Sequence, residues 1–104
     1  MSEPDWTKWQ PTAKMVQWTW FNIIQTLKDG GRWGIPLNSS IWQLDKVRKV
    51  FTCIHGPKDD MIYHQLTNVC RVLGYTTEYA PIELPPAEID QYMHGTGKTN
   101  VRIP

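Results

Sequence analysis

The first third of the chain has the apolar spacing of an amphipathic helix. The apolar positions recur every three or four residues and are Val16, Trp20, Ile23, Ile24 and Leu27. Residues with this spacing lie on one face of a helix. Thr12 is a suitable N-cap, and Gly30 and Gly31 provide a stop, because glycine accepts the left-handed conformation after a helix end. The pattern predicts a helix from about Thr12 to Asp29, with Trp20 as its core tryptophan.

The same spacing returns in the second half of the chain. Its apolar positions are Ile62, Leu66, Val69, Cys70 and Leu73. Pro57 lies near the expected start and Gly74 follows the expected end, which is the usual arrangement of these two residues around a helix. A second helix is therefore predicted from about Lys58 to Leu73.

Two short segments between the helices have the composition of β-strands. Residues 41–45 and 50–55 are rich in β-branched and aromatic side chains, and residues 46–49 form a short charged link between them. A link of this length joins antiparallel neighbours, and its charged side chains stay in water. These segments predict a β-hairpin.

Two further strands complete the predicted sheet. Residues 32–36 suit an edge strand, because Pro36 lacks the N–H that a central strand must donate. Residues 75–79 follow the second helix and form another candidate strand. The predicted fold class is α+β, with two amphipathic helices packed on one face of a small antiparallel sheet. The opposite sheet face is either covered by the C-terminal arm or left as a recognition surface.

The 104 residues suffice for one domain with one core. We predict a compact α+β domain over residues 1–80, of which 1–11 form an N-terminal arm, followed by a Pro-rich C-terminal arm over residues 81–104. Within this arm, Pro86 suits the first position of a short helix that runs to His94 and ends at Gly95.

The net charge and the absence of targeting signals indicate which partners and which cellular location to expect. The net charge of +1 gives no global field that favours nucleic acid, membranes or acidic substrates. No apolar run approaches the roughly 18 residues of a membrane span, and the start of the sequence lacks the basic and apolar regions of a signal peptide. A cytoplasmic protein is expected, in which Cys53 and Cys70 are buried free thiols.

Motifs for chemistry are incomplete in this sequence. The segment 95–99 resembles the end of a phosphate-binding loop, but the glycine required earlier in that motif is replaced by Tyr92. The candidate zinc ligands are Cys53, His55, His64 and Cys70. The last two do not converge easily, since six positions on a helix turn through about 120°. We therefore predict no catalytic residues, no metal site and no cofactor.

The tryptophan content favours a binding role. Of six tryptophans, only Trp20 falls on a helical core stripe. Trp18 and Phe21 lie away from that stripe on the predicted first helix, so part of its outer face is apolar. Either Trp6 and Trp9 fold back over this face or a partner protein binds there; the sequence leaves both readings open.

A second group of aromatic residues lies near the predicted hairpin. Trp33 and Trp42 occur close to the basic turn, which contains Lys46, Arg48 and Lys49. Tryptophan and arginine are frequent in interface hot spots. The predicted binding residues are Trp18, Phe21, Trp33, Trp42, Lys46, Arg48 and Lys49. The alternative function is single-stranded nucleic-acid binding, with bases stacked on the sheet aromatics and the phosphates beside the basic turn.

Two segments resemble parts of small uncharacterised proteins of tailed bacteriophages. They are GGRWGIP, at residues 30–36, and IWQLD, at residues 41–45, which is followed by a Lys-rich turn. The resemblance covers about a third of the chain. It implies an accessory protein that acts in the host cytoplasm by binding host machinery or a virion component. Our prediction is a small non-enzymatic interaction protein with a protein partner, which could also self-associate.

Overall fold

The computed structural model describes Asp5 and residues 8–94, and its elements follow the predicted order of helix, strands, helix, strand and helix. Expectations for Trp6 and for residues 95–104 lie outside the described residues. The elements are α1 (Ala13–Thr19), a π-helical segment (Trp20–Ile24), β1 (Arg32–Ile35), β2 (Ser40–Asp45), β3 (Val50–His55), α2 (Met61–Val72), β4 (Thr76–Tyr79) and α3 (Pro86–Met93).

The four strands form one sheet in the order β1-β2-β3-β4. The predicted hairpin is confirmed: β2 and β3 are antiparallel and Asp45 opposes Val50 across the turn. β1 is an antiparallel edge strand that ends directly before Pro36. The prediction of an all-antiparallel sheet is wrong, because β4 pairs with β3 in parallel. The helix α2 returns the chain to the starting end of β3, so the next strand runs in the same direction.

The first helix begins as predicted but changes its geometry midway. Thr12 is the N-cap, and its Oγ1 accepts a hydrogen bond from the Met15 N–H at 3.2 Å. Beyond Thr19 the helix widens into a π turn, in which the Gln25 N–H donates to the Trp20 carbonyl at 3.0 Å. The wider turn changes which residues face inward. At this junction Thr19 is buried and Trp20 is only half-buried.

Both ends of α2 are fixed by local hydrogen bonds. Its N-cap is Asp60, whose carboxylate accepts from the Tyr63 N–H at 2.8 Å. At the other end Gly74 adopts a φ of 86°. The N–H groups of Gly74 and Tyr75 donate to the carbonyls of Arg71 and Cys70, which is the Schellman arrangement. The glycine stop predicted for this helix is confirmed.

The main core lies between one face of the sheet and two helices, which are the first helix with its π-helical segment and α2. The predicted core residues Ile24, Leu27 and Leu66 are buried in it, whereas Trp20 and Leu73 pack against its edge. The largest fully buried side chains are those of Trp42 and Phe51, which come from the strands. The centre of the core is therefore supplied by the sheet.

The opposite face of the sheet is covered by α3. Tyr92 on this helix packs with Ile41 of β2 and Ile54 of β3, and further apolar residues of the arm surround this cluster. Gly34 of β1 permits the close approach, since a Cβ atom there would lie 2.6 Å from the Tyr92 Cβ. Helices thus pack on both faces of the sheet, and the described part of the C-terminal arm lies against it. None of the described helices has the length and apolar character to cross a membrane.

A candidate binding groove

An open apolar groove lies between α1, α2 and the edge strand β1. Its volume is about 370 Å³. The sheet contributes Trp33 and Ile35, and Lys14 is the one charged residue in the described lining. Clefts of this size and character are typical of sites that accept apolar ligands or side chains. We call this feature the α1–α2 groove.

The walls of the α1–α2 groove follow from helical spacing. On α1, Met15, Trp18 and Thr19 are three and four residues apart and line one wall. On α2, Ile62 and Leu66 have the same spacing and line the other. Neither helix closes the gap, so Met15, Trp18 and Ile62 on the walls are partly exposed, whereas the sheet residues at the floor are buried.

The predicted apolar outer face of the first helix contained Trp18 and Phe21. In the structure these two side chains lie in different surroundings. Trp18 is half-buried: it packs against the main core and also lines the α1–α2 groove. Phe21 is 59% exposed and does not belong to the groove lining. Met15, which was not among the predicted binding residues, is 37% exposed at the groove. Met15 lies one helical turn before Trp18, and this spacing could have indicated that the two side chains share a face.

Trp33 has an unsatisfied polar atom. Its side chain is 4% exposed and belongs to the groove lining. The indole Nε1 is buried and has no hydrogen-bond partner among the described residues. A buried N–H without a partner is uncommon in folded proteins and calls for an explanation. No sequence pattern predicts this, because a pattern shows the residue type and not the surroundings of its nitrogen.

Trp42 is a core residue, which corrects its assignment to a binding surface. It is 0% exposed, and its ring centroid lies 5.4 Å from that of Tyr63. Its Nε1 donates to the Ser40 Oγ at 3.1 Å, so its polar atom is satisfied inside the protein. A tryptophan so enclosed has no surface to offer a partner. On a two-faced sheet, alternation alone does not reveal which residues the helices cover.

The basic turn between β2 and β3 lies outside the groove lining, and acidic side chains surround it. Arg48 is within 4.0 Å of the Asp45 carboxylate and within 3.6 Å of the Glu78 carboxylate. The Asp29 carboxylate accepts a hydrogen bond from the backbone N–H of Lys46 at 2.6 Å. Lys49 has a φ of 56°, in keeping with a tight turn. The Arg48 guanidinium therefore lies between two carboxylates, and a third carboxylate binds the backbone of the turn.

The two cysteines are buried free thiols. Burial raises the pKa of Cys53 to about 11 and that of Cys70 to about 12. Cys53 also donates a hydrogen bond from Sγ to the His55 carbonyl at 3.4 Å. Both side chains are therefore protonated thiols at neutral pH and lack the thiolate needed for nucleophilic attack. In the part of the chain that the structure describes, no three His, Cys, Asp or Glu side chains are grouped to hold a metal ion.

Comparisons with protein families, with curated proteins and with solved structures find no match to this chain. The bacteriophage resemblance therefore stays a prediction.

Proposed function

We propose that this chain is a non-enzymatic interaction protein whose α1–α2 groove binds an apolar segment of another protein. The observation that supports the proposal is the open apolar groove, which contains the half-buried Trp18 beside the exposed Met15. Isolated apolar residues are common on protein surfaces, but a concave apolar site between two helices is not.

The chemistry of the groove residues suits a protein partner. Tryptophan is among the residues that contribute most to binding energy at interfaces, particularly in concave, desolvated positions. Methionine adapts its shape to different apolar partners. Partner segments commonly place a few apolar side chains in a groove between helices. The bacteriophage resemblance adds the expectation that the partner is host machinery or a virion component.

Single-stranded nucleic acid is less well supported as the partner. The stacking mode requires an open sheet face with accessible aromatic residues. Here α1 and α2 cover one face, and Tyr92 of α3 packs over the other. Trp42 is fully buried, and Arg48 of the basic turn lies near the carboxylates of Asp45 and Glu78.

A matched pair of substitutions tests the proposed function. Met15→Asp places a carboxylate at the α1–α2 groove, whereas Leu37→Asp makes the same type of change at a residue that is 79% exposed and lies outside the groove lining. Peptides selected from a displayed random library on the parent protein should bind Met15→Asp more than about tenfold more weakly, because an apolar contact would then desolvate a charge. Leu37→Asp should bind them unchanged.

Equal binding of the selected peptides to both variants would refute the groove as the site. Retention of single-stranded DNA that weakens steeply with added salt, and that is lost when Lys46, Arg48 and Lys49 are replaced by glutamine, would instead favour the nucleic-acid function.

A further inference from the structure

Two nearly buried tryptophans differ in how their indole nitrogens are satisfied. The Trp42 N–H donates to Ser40, but the Trp33 N–H has no partner among the described residues. This group loses its hydrogen bonds to water on folding and gains none from the part of the chain that the structure describes. Trp33 also lines the α1–α2 groove, so a ligand bound in the groove could supply an acceptor.

The polar side chains on the α1 wall are already engaged with their own helix. The Thr19 hydroxyl donates to the Met15 carbonyl at 2.9 Å, and the Thr12 hydroxyl accepts from the Met15 N–H. These bonds hold the wall in shape, and neither hydroxyl accepts from the Trp33 Nε1. The groove therefore combines apolar walls, the Gln65 amide, the Trp33 N–H without an acceptor among the described residues, and one cation, Lys14.

We propose that the groove binds an extended peptide segment of the partner protein, with a free backbone carbonyl that accepts from Trp33 Nε1 and an acidic residue beside Lys14. This inference rests on the proposed function and specifies its partner. The middle of a helix would not provide such an acceptor, because its carbonyls are bonded within the helix. An extended segment has backbone carbonyls that are not hydrogen-bonded within the segment. The acid follows from charge complementarity with Lys14.

Access to the nitrogen requires a local adjustment. Nε1 is covered by protein when the groove is empty, so the peptide carbonyl must arrive with a small displacement of the groove wall. Side-chain rearrangement of this kind is common when proteins bind partners. In nuclear magnetic resonance spectra, the Trp33 indole proton should then move downfield on peptide addition. The Trp42 indole proton, which is already bonded, should move little.

The decisive experiment removes the N–H and keeps the ring shape. Benzothienylalanine, in which sulfur replaces the indole N–H, is introduced in place of Trp33, and in a control protein in place of Trp42. Binding of the selected groove-dependent peptides is measured by calorimetry. Replacement of Trp33 should weaken binding about tenfold, as expected for one unpaired buried acceptor, and should not lower the thermal midpoint, because the free protein loses no hydrogen bond. Replacement of Trp42 should lower the midpoint and spare the affinity.

The outcomes separate this inference from the proposed function. Groove-dependent peptides that bind equally well after the Trp33 replacement would overturn the inference and leave the proposed function standing, as would selected peptides that bind as helices. A library that yields no groove-dependent peptide would overturn both. If an anilinonaphthalene sulfonate dye then bound in the groove, the site would be one for small amphipathic anions.

Charge reversal by Lys14→Glu should weaken the binding of peptides with an acidic residue and leave the binding of their neutral counterparts unchanged.

Discussion

At the scale of single residues, the tryptophans have distinct roles that follow from their surroundings. Trp42 is enclosed and hydrogen-bonded, and Trp33 is enclosed with a nitrogen that no described residue pairs. Trp18 is shared between the core and the groove. Trp20, which the helical stripe favoured as the core tryptophan, is only half-buried. The ranking of these side chains by burial gives a direct expectation for their contributions to stability.

Trp42→Ala should lower the free energy of unfolding by about 3 to 5 kcal/mol, the range for large buried aromatic residues. Trp20→Ala should cost roughly 1 to 2 kcal/mol, because part of its surface is already in water. Phe21→Ala, at a residue that is 59% exposed, serves as the control with little effect. Urea unfolding measures all three. A larger loss for Trp20→Ala than for Trp42→Ala would contradict the core described above.

The sequence predicted features that depend on neighbouring residues. Thr12 as the first N-cap, Gly74 as the second helix stop and residues 46–49 as the hairpin turn were all read from local chemistry and were confirmed. The sequence did not predict the burial of Trp42 or the unpaired nitrogen of Trp33. Both result from packing between elements that are distant in the sequence, which a local pattern does not encode.

At the scale of elements, the π turn and the direction of β4 were also beyond the sequence pattern. The stripe from Val16 to Leu27 fits an uninterrupted α-helix, and the extra residue in one turn is apparent only from the bond between Gln25 and Trp20. The parallel pairing of β4 with β3 depends on how α2 returns across the sheet. The packing of α3 on β1 is likewise a contact between elements, and one glycine makes it possible.

Gly34→Ala should loosen α3 from the sheet. The added methyl group would meet the Tyr92 Cβ at 2.6 Å and its carbonyl oxygen at 2.8 Å, so the helix must move. Hydrogen exchange measured by mass spectrometry should show faster exchange of α3 amides, while α2 amides remain protected. The control is Gly31→Ala, where the methyl group would crowd Lys28 and leave α3 untouched. Unchanged exchange in α3 would show that the helix adapts to the methyl group.

At the scale of the whole molecule, the buried thiols link stability to alkaline pH. Cys53 and Cys70 titrate near 9.0 when unfolded, and in the folded protein their pKa values rise to about 11 and about 12. The unfolded state therefore loses protons first as the pH rises. Their contribution to stability is fully present below pH 9.0 and is lost progressively between pH 9.0 and about 12. Burial also raises the pKa of Tyr63 and Tyr75, which extends the same trend.

We expect the thermal midpoint to be constant from neutral pH to about pH 9 and then to fall, reversibly. Cys70→Ala should lower the midpoint at neutral pH because it leaves a cavity. It should also make the alkaline decline shallower, since one titrating thiol is gone. Differential scanning calorimetry across this pH range provides the measurement. An alkaline slope identical in the parent and Cys70→Ala proteins would show that Cys70 does not contribute to it.

The path of the chain after β4 has a practical consequence for anyone who prepares fragments of this protein. The backbone N–H of Ile82 donates to the carbonyl of Ile54 at 3.0 Å, and Arg32 on β1 forms an ion pair with Glu88 on α3. The segment after β4 thus starts at the β4 edge of the sheet and ends at the β1 edge. A fragment that stopped at residue 80 would leave Ile41 and Ile54 bare to water, so a folded preparation must extend at least through Met93.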